Sequence, residues 1–241
     1  MKVILCLADS LALPRINVPY KETWFYKLKS SYIEGQASKV LIDFIASFRR
    51  ALTSSDIMQQ YTDLVGLYDA DLLIIQQGIV DCAPRRINDR LLMWRILIKV
   101  VNKLHLTSAF WFVIKRLFNR NKNTVYTNIV DYKRNIESLV NKFLAGGLNK
   151  QVLFVLIATP SSKFLSRSKF VGDNVRAYNK IIVSICNNNE RVSFIDPLCS
   201  GDDTLFVEDG YHTSAKGSEL VFAAVKNFIE TNLLKKADKD V

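Results

Sequence analysis

Four short apolar runs punctuate the chain, Val3–Leu7, Leu72–Ile75, Val152–Ile157 and Val192–Ile195. Runs of this length bounded by polar residues predict strands buried in a sheet interior. A weaker run around Tyr32–Ile33 predicts a further strand. Between these runs the period changes to that of a helix. Ile136, Leu139, Val140, Phe143 and Leu144 fall at i, i+3, i+4, i+7 and i+8, with Lys133, Arg134, Glu137 and Lys142 on the opposite face. Gly146-Gly147 supplies a stop for that helix. A last helix is expected from Ser214, a good N-cap, into "LVFAAVKNFI". Strands alternating with helices imply a parallel sheet covered on both faces, an α/β fold.

Composition narrows the class. Of 241 residues, 49% are hydrophobic, enough for one sizeable core, and residues 1–241 read as a single domain. The cysteines Cys6, Cys82, Cys186 and Cys199 are widely spaced, without a C-x-x-C pair. Neither a disulfide framework nor a metal site is expected, and a reducing, cytoplasmic compartment fits. The opening run Val3–Ala8 meets Asp9 at once, too short for a signal-peptide core. The tail "KKADKDV" reads as frayed and solvated.

The net charge is +10, and nine of those charges lie between Arg85 and Lys122, where ten basic residues meet one acid, Asp89. The basic character therefore belongs to a helical insert at about 86–124. Its first half, "RLLMWRILIKVVNKLH", carries a stripe of Arg95, Lys99, Asn102 and Lys103; its second, "AFWFVIKRLFNR", follows Thr107 or Ser108 as a cap. Two readings are open. The hairpin packs on the domain as a lid, or it lies at the inner face of a membrane through residues 90–120, with Trp94, Phe110, Trp111 and Phe112 at the acyl boundary and cations toward anionic headgroups. Basic residues mixed with aliphatics, and no recognised binding motif, argue against nucleic acid.

In such sheets chemistry gathers beyond the C-terminal strand ends. Four segments there carry polar groups, "ADSLALPR" after the first strand, "QQGIVDCAPR" after the second clear one, "TPSSK" after the third, and "EDGYHTSAKG" before the last helix. A serine hydroxyl becomes a nucleophile only beside a base, and imidazole suits that task at neutral pH. The base needs a carboxylate to hold its tautomer, and an Asp three residues earlier on a tight turn reaches Nδ1. Ser10, His212 and Asp209 form such a candidate triad. Asp202, Asp203 and Glu208 are rival carboxylates with poorer spacing. Cys82 reads as a packing residue and His105 as structural.

"ADSL" (8–11), "GIVD" (78–81) and "DGYH" (209–212) together resemble the three spaced motifs of the SGNH, or GDSL-type, hydrolases. The chain is similar to standalone bacterial members associated with surface-polysaccharide gene clusters, in which "GIVDCAPR" precedes a basic insert. The resemblance implies a flavodoxin-like three-layer sandwich and a serine esterase or acyl transferase without cofactor. Its substrate would be an acylated carbohydrate or other small ester. It implies Ser10 as nucleophile, His212 as base and then acid, and Asp209 as orienter. It also implies an oxyanion hole from the Ser10 N–H, a glycine after the second strand, taken as Gly35, and an asparagine. Val80 stands where that asparagine belongs, and it has no side-chain donor. Gln77, Arg85 or a backbone N–H would have to compensate, with Gly78 and Asp81 shaping the site. The departure at Val80 also leaves open a catalytically weak protein that binds glycan or docks at a membrane.

Overall fold

The computed structural model describes residues 1–33, 41–117 and 124–234. Five strands, β1 (Lys2–Ala8), β2 (Ile42–Phe48), β3 (Leu72–Gln76), β4 (Gln151–Val155) and β5 (Val192–Ile195), form one parallel sheet in the order β2-β1-β3-β4-β5. This is the flavodoxin-like strand order, with its topological switch at β1 and β3. The helices are α1 (Trp24–Ile33), α2 (Ser54–Gln59), α3 (Ile79–Cys82), α4 (Leu92–Lys103), α5 (Thr107–Leu117), α6 (Ile129–Leu144), α7 (Ser162–Leu165), α8 (Val171–Asn187) and α9 (Ala215–Phe228).

Alternation along the buried strands divides the core into two layers. Leu5, Leu7, Leu73, Ile75, Val152 and Phe154 pack with residues of α2, α6 and α8. Ile4, Cys6, Ile74, Leu153 and Val155 pack with Trp24, Phe25 and Leu28 of α1 and with Val221, Val225 and Phe228 of α9. All five apolar positions expected on α6 are buried. Ser214 caps α9 by accepting the Gly217 N–H. The run Val152–Ile157 leaves the ladder after Val155, and the Asn179 side chain then bonds both the N–H and the C=O of Ile157.

The strand expected around Tyr32–Ile33 is instead the end of α1. Its aromatic and β-branched residues favour a strand locally, but Trp24, Phe25 and Leu28 share one buried face at helical spacing. The second strand is the segment "IDFIASF". It pairs with β1 alone, and Asp43 and Ala46 are exposed, so no continuous apolar run marks it.

Residues 91–117 form a helical hairpin that stands off the domain. Its base is joined by the Arg85 N–H to the Thr124 carbonyl at 2.7 Å and by the Asn88 amide to the Val125 carbonyl at 3.3 Å. No residue of α4 is buried, whereas Ile114 of α5 is. Among the described residues no helix is long and apolar enough to cross a membrane. The tail 235–241 and the end of the predicted second insert helix lie outside the described residues.

Candidate active site

β1 ends in the interior of the sheet, where Ala8 pairs with Phe48 on one side and Gln76 on the other. The chain then turns sharply. The Asp9 carboxylate accepts the Leu11 N–H at 2.8 Å and starts a short 3-10 turn, Ser10–Ala12, which lifts the Ser10 hydroxyl over the strand ends. Ser10 Oγ lies 2.9 Å from His212 Nε2, joining residues 202 positions apart.

His212 is presented by the turn before α9. Gly210 makes that turn at φ 80°, and a Cβ there would come within 2.5 Å of Ser161 Oγ. Ser161 holds the turn from β4's side, donating its hydroxyl to the Gly210 carbonyl at 2.6 Å. Tyr211 stacks between Phe164 and His212, with ring centroids at 5.0 and 4.0 Å. Asp209 Oδ2 lies 2.6 Å from His212 Nδ1, and its Oδ1 accepts the backbone N–H groups of Tyr211 and His212 at 3.1 and 3.0 Å. Among the described residues no other carboxylate bonds this ring: Asp202 turns to Thr204 and Lys216, Asp203 to Ser162.

The electrostatics follow from this packing. Partial burial works to raise the Asp209 carboxyl, but the His212 ring and the two backbone donors outweigh it and bring the pKa down to about 2. His212 is held below the ordinary imidazole value, chiefly by burial, with Arg15 and Arg50 adding to it and Asp209 opposing. At neutral pH the ring is therefore uncharged and able to take a proton.

A cavity of about 260 Å³ opens beside Ser10, lined by Ala51, Val80, Arg85, Arg167 and Tyr211 among others. The expected site residues divide around it. Ser10 and Arg85 face the cavity, as does Val80, an apolar side chain with no donor to offer. Gly78 and Asp81 act from behind. Gly78 adopts φ 124° with Ile157 packed where a Cβ would sit, 2.6 Å away, so only glycine fits as β3 passes into α3. Buried Asp81 accepts the Ser54 N–H at 3.0 and 3.1 Å and its hydroxyl at 2.7 Å, fixing the start of α2. Gln77 bonds Tyr132 at 3.5 Å, away from the cavity lining.

Gly35 lies outside the described residues, and it precedes β2, so it is not the residue that follows the second strand. That place belongs to the loop "RRAL", where Ala51 reaches the cavity with φ 55°, a left-handed conformation uncommon for alanine. Nothing in the sequence signals this alanine. Arg90 pins the loop, donating to the Ala51 carbonyl, to Thr53 Oγ1 at 3.0 Å and to Asp56 Oδ2 at 2.6 Å. Cys82 is buried with its thiol pushed up by burial, which fits packing rather than nucleophilic chemistry. His105 is exposed at the turn between α4 and α5, at φ 56°.

No family model matches the chain, and no curated protein matches it in sequence. Solved structures match it in fold over nearly its whole length. A lipase/acylhydrolase from Enterococcus faecalis superposes with a TM-score of 0.64 at 15% identity, covering 95% of both chains. The psychrotrophic esterase EstA from Pseudoalteromonas sp., in a structure inhibited by monoethylphosphonate, gives 0.63 at 16% identity, covering 97% of this chain and 99% of that one. A mutant of Axe2, an acetyl-xylooligosaccharide esterase from Geobacillus, gives 0.63 at 13% identity, covering 95% and 94%. The chain thus shares the α/β fold of these ester-cleaving enzymes.

Proposed function

We propose that this protein is a serine ester hydrolase of the SGNH type. The observation that carries the reading is the unbroken relay from Ser10 through His212 to Asp209 at the edge of a cavity. In this mechanism Ser10 Oγ attacks the acyl carbonyl while His212 Nε2 takes its proton. The tetrahedral oxyanion is met by the backbone N–H groups of Ser10 and Ala51, since Val80 has no side-chain donor. Collapse expels the alcohol, which takes the proton from His212. Water then attacks the acyl-enzyme with His212 again as base, releasing the carboxylic acid and free Ser10. Asp209 holds the proton on Nδ1 throughout and stabilises the imidazolium. No organic cofactor or metal enters these steps.

The substrate class we propose is an O-acyl, in particular O-acetyl, ester of a bacterial surface-glycan precursor. The cavity sits just below the usual range of about 300–1,000 Å³ for small-molecule pockets, which suits a short acyl group. One fold relative acts on acetylated xylo-oligosaccharides. A fluorophosphonate probe tests the reading. Wild type should label at Ser10 and Ser10→Ala should not; wild type without labelling would favour a glycan-binding protein that has kept only the fold.

We also infer that the α4–α5 hairpin rests on an anionic membrane surface. Trp94, Ile98 and Val101 are the less exposed stripe of α4, and Met93, Leu97, Val100 and Leu104 make an adjoining apolar stripe that is exposed. Arg95, Lys99 and Lys103 flank it on the other side. On α5, Phe112 and Leu117 are exposed by 66% and 70%. An apolar stripe beside a row of cations is the pattern of a helix lying in a bilayer interface, and a lid would have buried that stripe on its own domain.

A further inference from the structure

We propose that the cavity beside Ser10 contains an anion subsite built on Arg85 and Arg167, and that the true substrate is an ester bearing a phosphate or carboxylate group. This deepens the hydrolase reading and rests on it. Both guanidinium-bearing side chains line the same cavity as Ser10, whose lining includes no Asp or Glu. Neither forms an ion pair among the described residues, although Arg90, five positions from Arg85, is paired with Asp56. Two cations facing one cavity repel each other unless an anion lies between them. Arg85 is built in rather than loosely exposed. Its backbone bonds Thr124 at 2.7 Å, its guanidinium lies 4.3 Å from the Tyr126 ring centroid, and its Nε is buried without a protein partner. The Tyr126 stack fixes the guanidinium at the cavity wall, where its other N–H groups would meet a ligand oxyanion.

Arg15 donates to the Ser10 carbonyl at 3.4 Å and, with Arg50, lines a second depression that also holds Glu208 and Asp209. Arginine's planar fork matches phosphate and carboxylate with two parallel bonds, and Tyr211 and Phe164 offer a flat wall for a ring attached to the anion. The subsite would thus select esters by charge before the acyl carbonyl meets Ser10.

The test uses the whole protein and two readouts. Calorimetry should show phenyl phosphate binding at least tenfold tighter than neutral phenol, weakened about tenfold by Arg85→Gln and by Arg167→Gln, and by rising salt. Arg85→Lys should recover part of the loss. In turnover, the kcat/KM ratio of 4-acetoxyphenyl phosphate to 4-methoxyphenyl acetate should exceed about ten and fall toward one in the same variants. The hemisuccinate of 4-nitrophenol, compared with its butyrate, asks whether the anion sits on the acyl side instead. Phenyl phosphate that does not bind, or binding left unchanged by Arg85→Gln and Arg167→Gln, overturns the subsite; so do ratios near one for both pairs when the neutral esters are cleaved. Absent turnover together with absent phosphonate labelling rejects the hydrolase reading, while the binding experiment still decides the subsite.

Discussion

His212 and Asp209 are joined twice across one turn, by the ring Nδ1 to Oδ2 at 2.6 Å and by the backbone N–H to Oδ1 at 3.0 Å. The carboxylate thus sets the ring's position and its tautomer together. Asp209→Asn leaves a carbonyl oxygen for the backbone donors, but its amide competes for the ring bond and favours the wrong tautomer. We expect kcat on a short-chain aryl ester to fall by about 10³–10⁴ with little change in melting temperature. Ser10→Ala should abolish turnover with the fold intact by circular dichroism. Wild-type rates in either variant would remove the relay from the mechanism.

The depressed pKa of His212 fixes a pH profile. The ring must be neutral to accept the Ser10 proton, so kcat/KM rises as pH rises through the His212 pKa, with an inflection below 6.5. Arg50 contributes to that depression. Arg50→Gln removes a positive charge that disfavours the imidazolium, so the inflection should move upward. A downward shift would contradict this sign.

Val80 faces the cavity without a donor, so Val80→Asn offers one where a negative oxygen would develop. An oxyanion-hole donor is worth about 10²–10³ in rate, and we expect kcat to rise by some part of that range. The amide enters a nearly closed apolar setting, so stability should fall by about 1–3 kcal/mol. Unchanged kcat in a folded variant would mean that position 80 does not reach the reacting carbonyl.

Two buried carboxyls beneath the site, Asp9 and Asp81, are pushed up to about 7 and about 6, mainly by burial, with Asp81 also acting on Asp9. Because the folded values are raised, the native state holds protons that the unfolded chain releases. Their contribution is full below about pH 4 and is lost as pH rises through 6 to 7. Asp9 Oδ2 has no bonding partner among the described residues. Asp9→Asn removes one titrating group, so urea denaturation between pH 4 and 7.5 should show a shallower decline than wild type; an equal slope would count against a buried, protonated Asp9.

For the hairpin, co-sedimentation should find far more of the protein with anionic vesicles than with neutral ones. Each cation near the surface adds about 1 kcal/mol, so Arg95→Glu with Lys99→Glu should release most of it. High salt should weaken binding without ending it, because the apolar stripe is indifferent to screening. Wild type left in the supernatant with anionic vesicles at low salt would reject the membrane reading and return the hairpin to the role of a lid.

The sequence alone carried four of the sheet's five strands, the α6 face, the Ser214 cap and the candidate positions Ser10, His212 and Asp209. Each is written in short-range terms, an apolar run, a helical period, or a carboxylate three residues from a histidine. The edge strand β2 was not legible, because Asp43 and Ala46 meet solvent and Asp43 breaks its apolar run. For the same reason the loop after it was misplaced, and Gly35 was read where Ala51 stands. Ala51's left-handed turn is imposed by its surroundings, the Arg90 clamp and the Asp81 bonds to Ser54, which join positions 27 to 39 residues away. The distance from Ser10 to His212, the cavity they border and the arginines that share it likewise arise only when the parallel sheet brings remote strand ends to one rim. Period and local spacing determine what each segment becomes; packing across the sheet decides which segments meet.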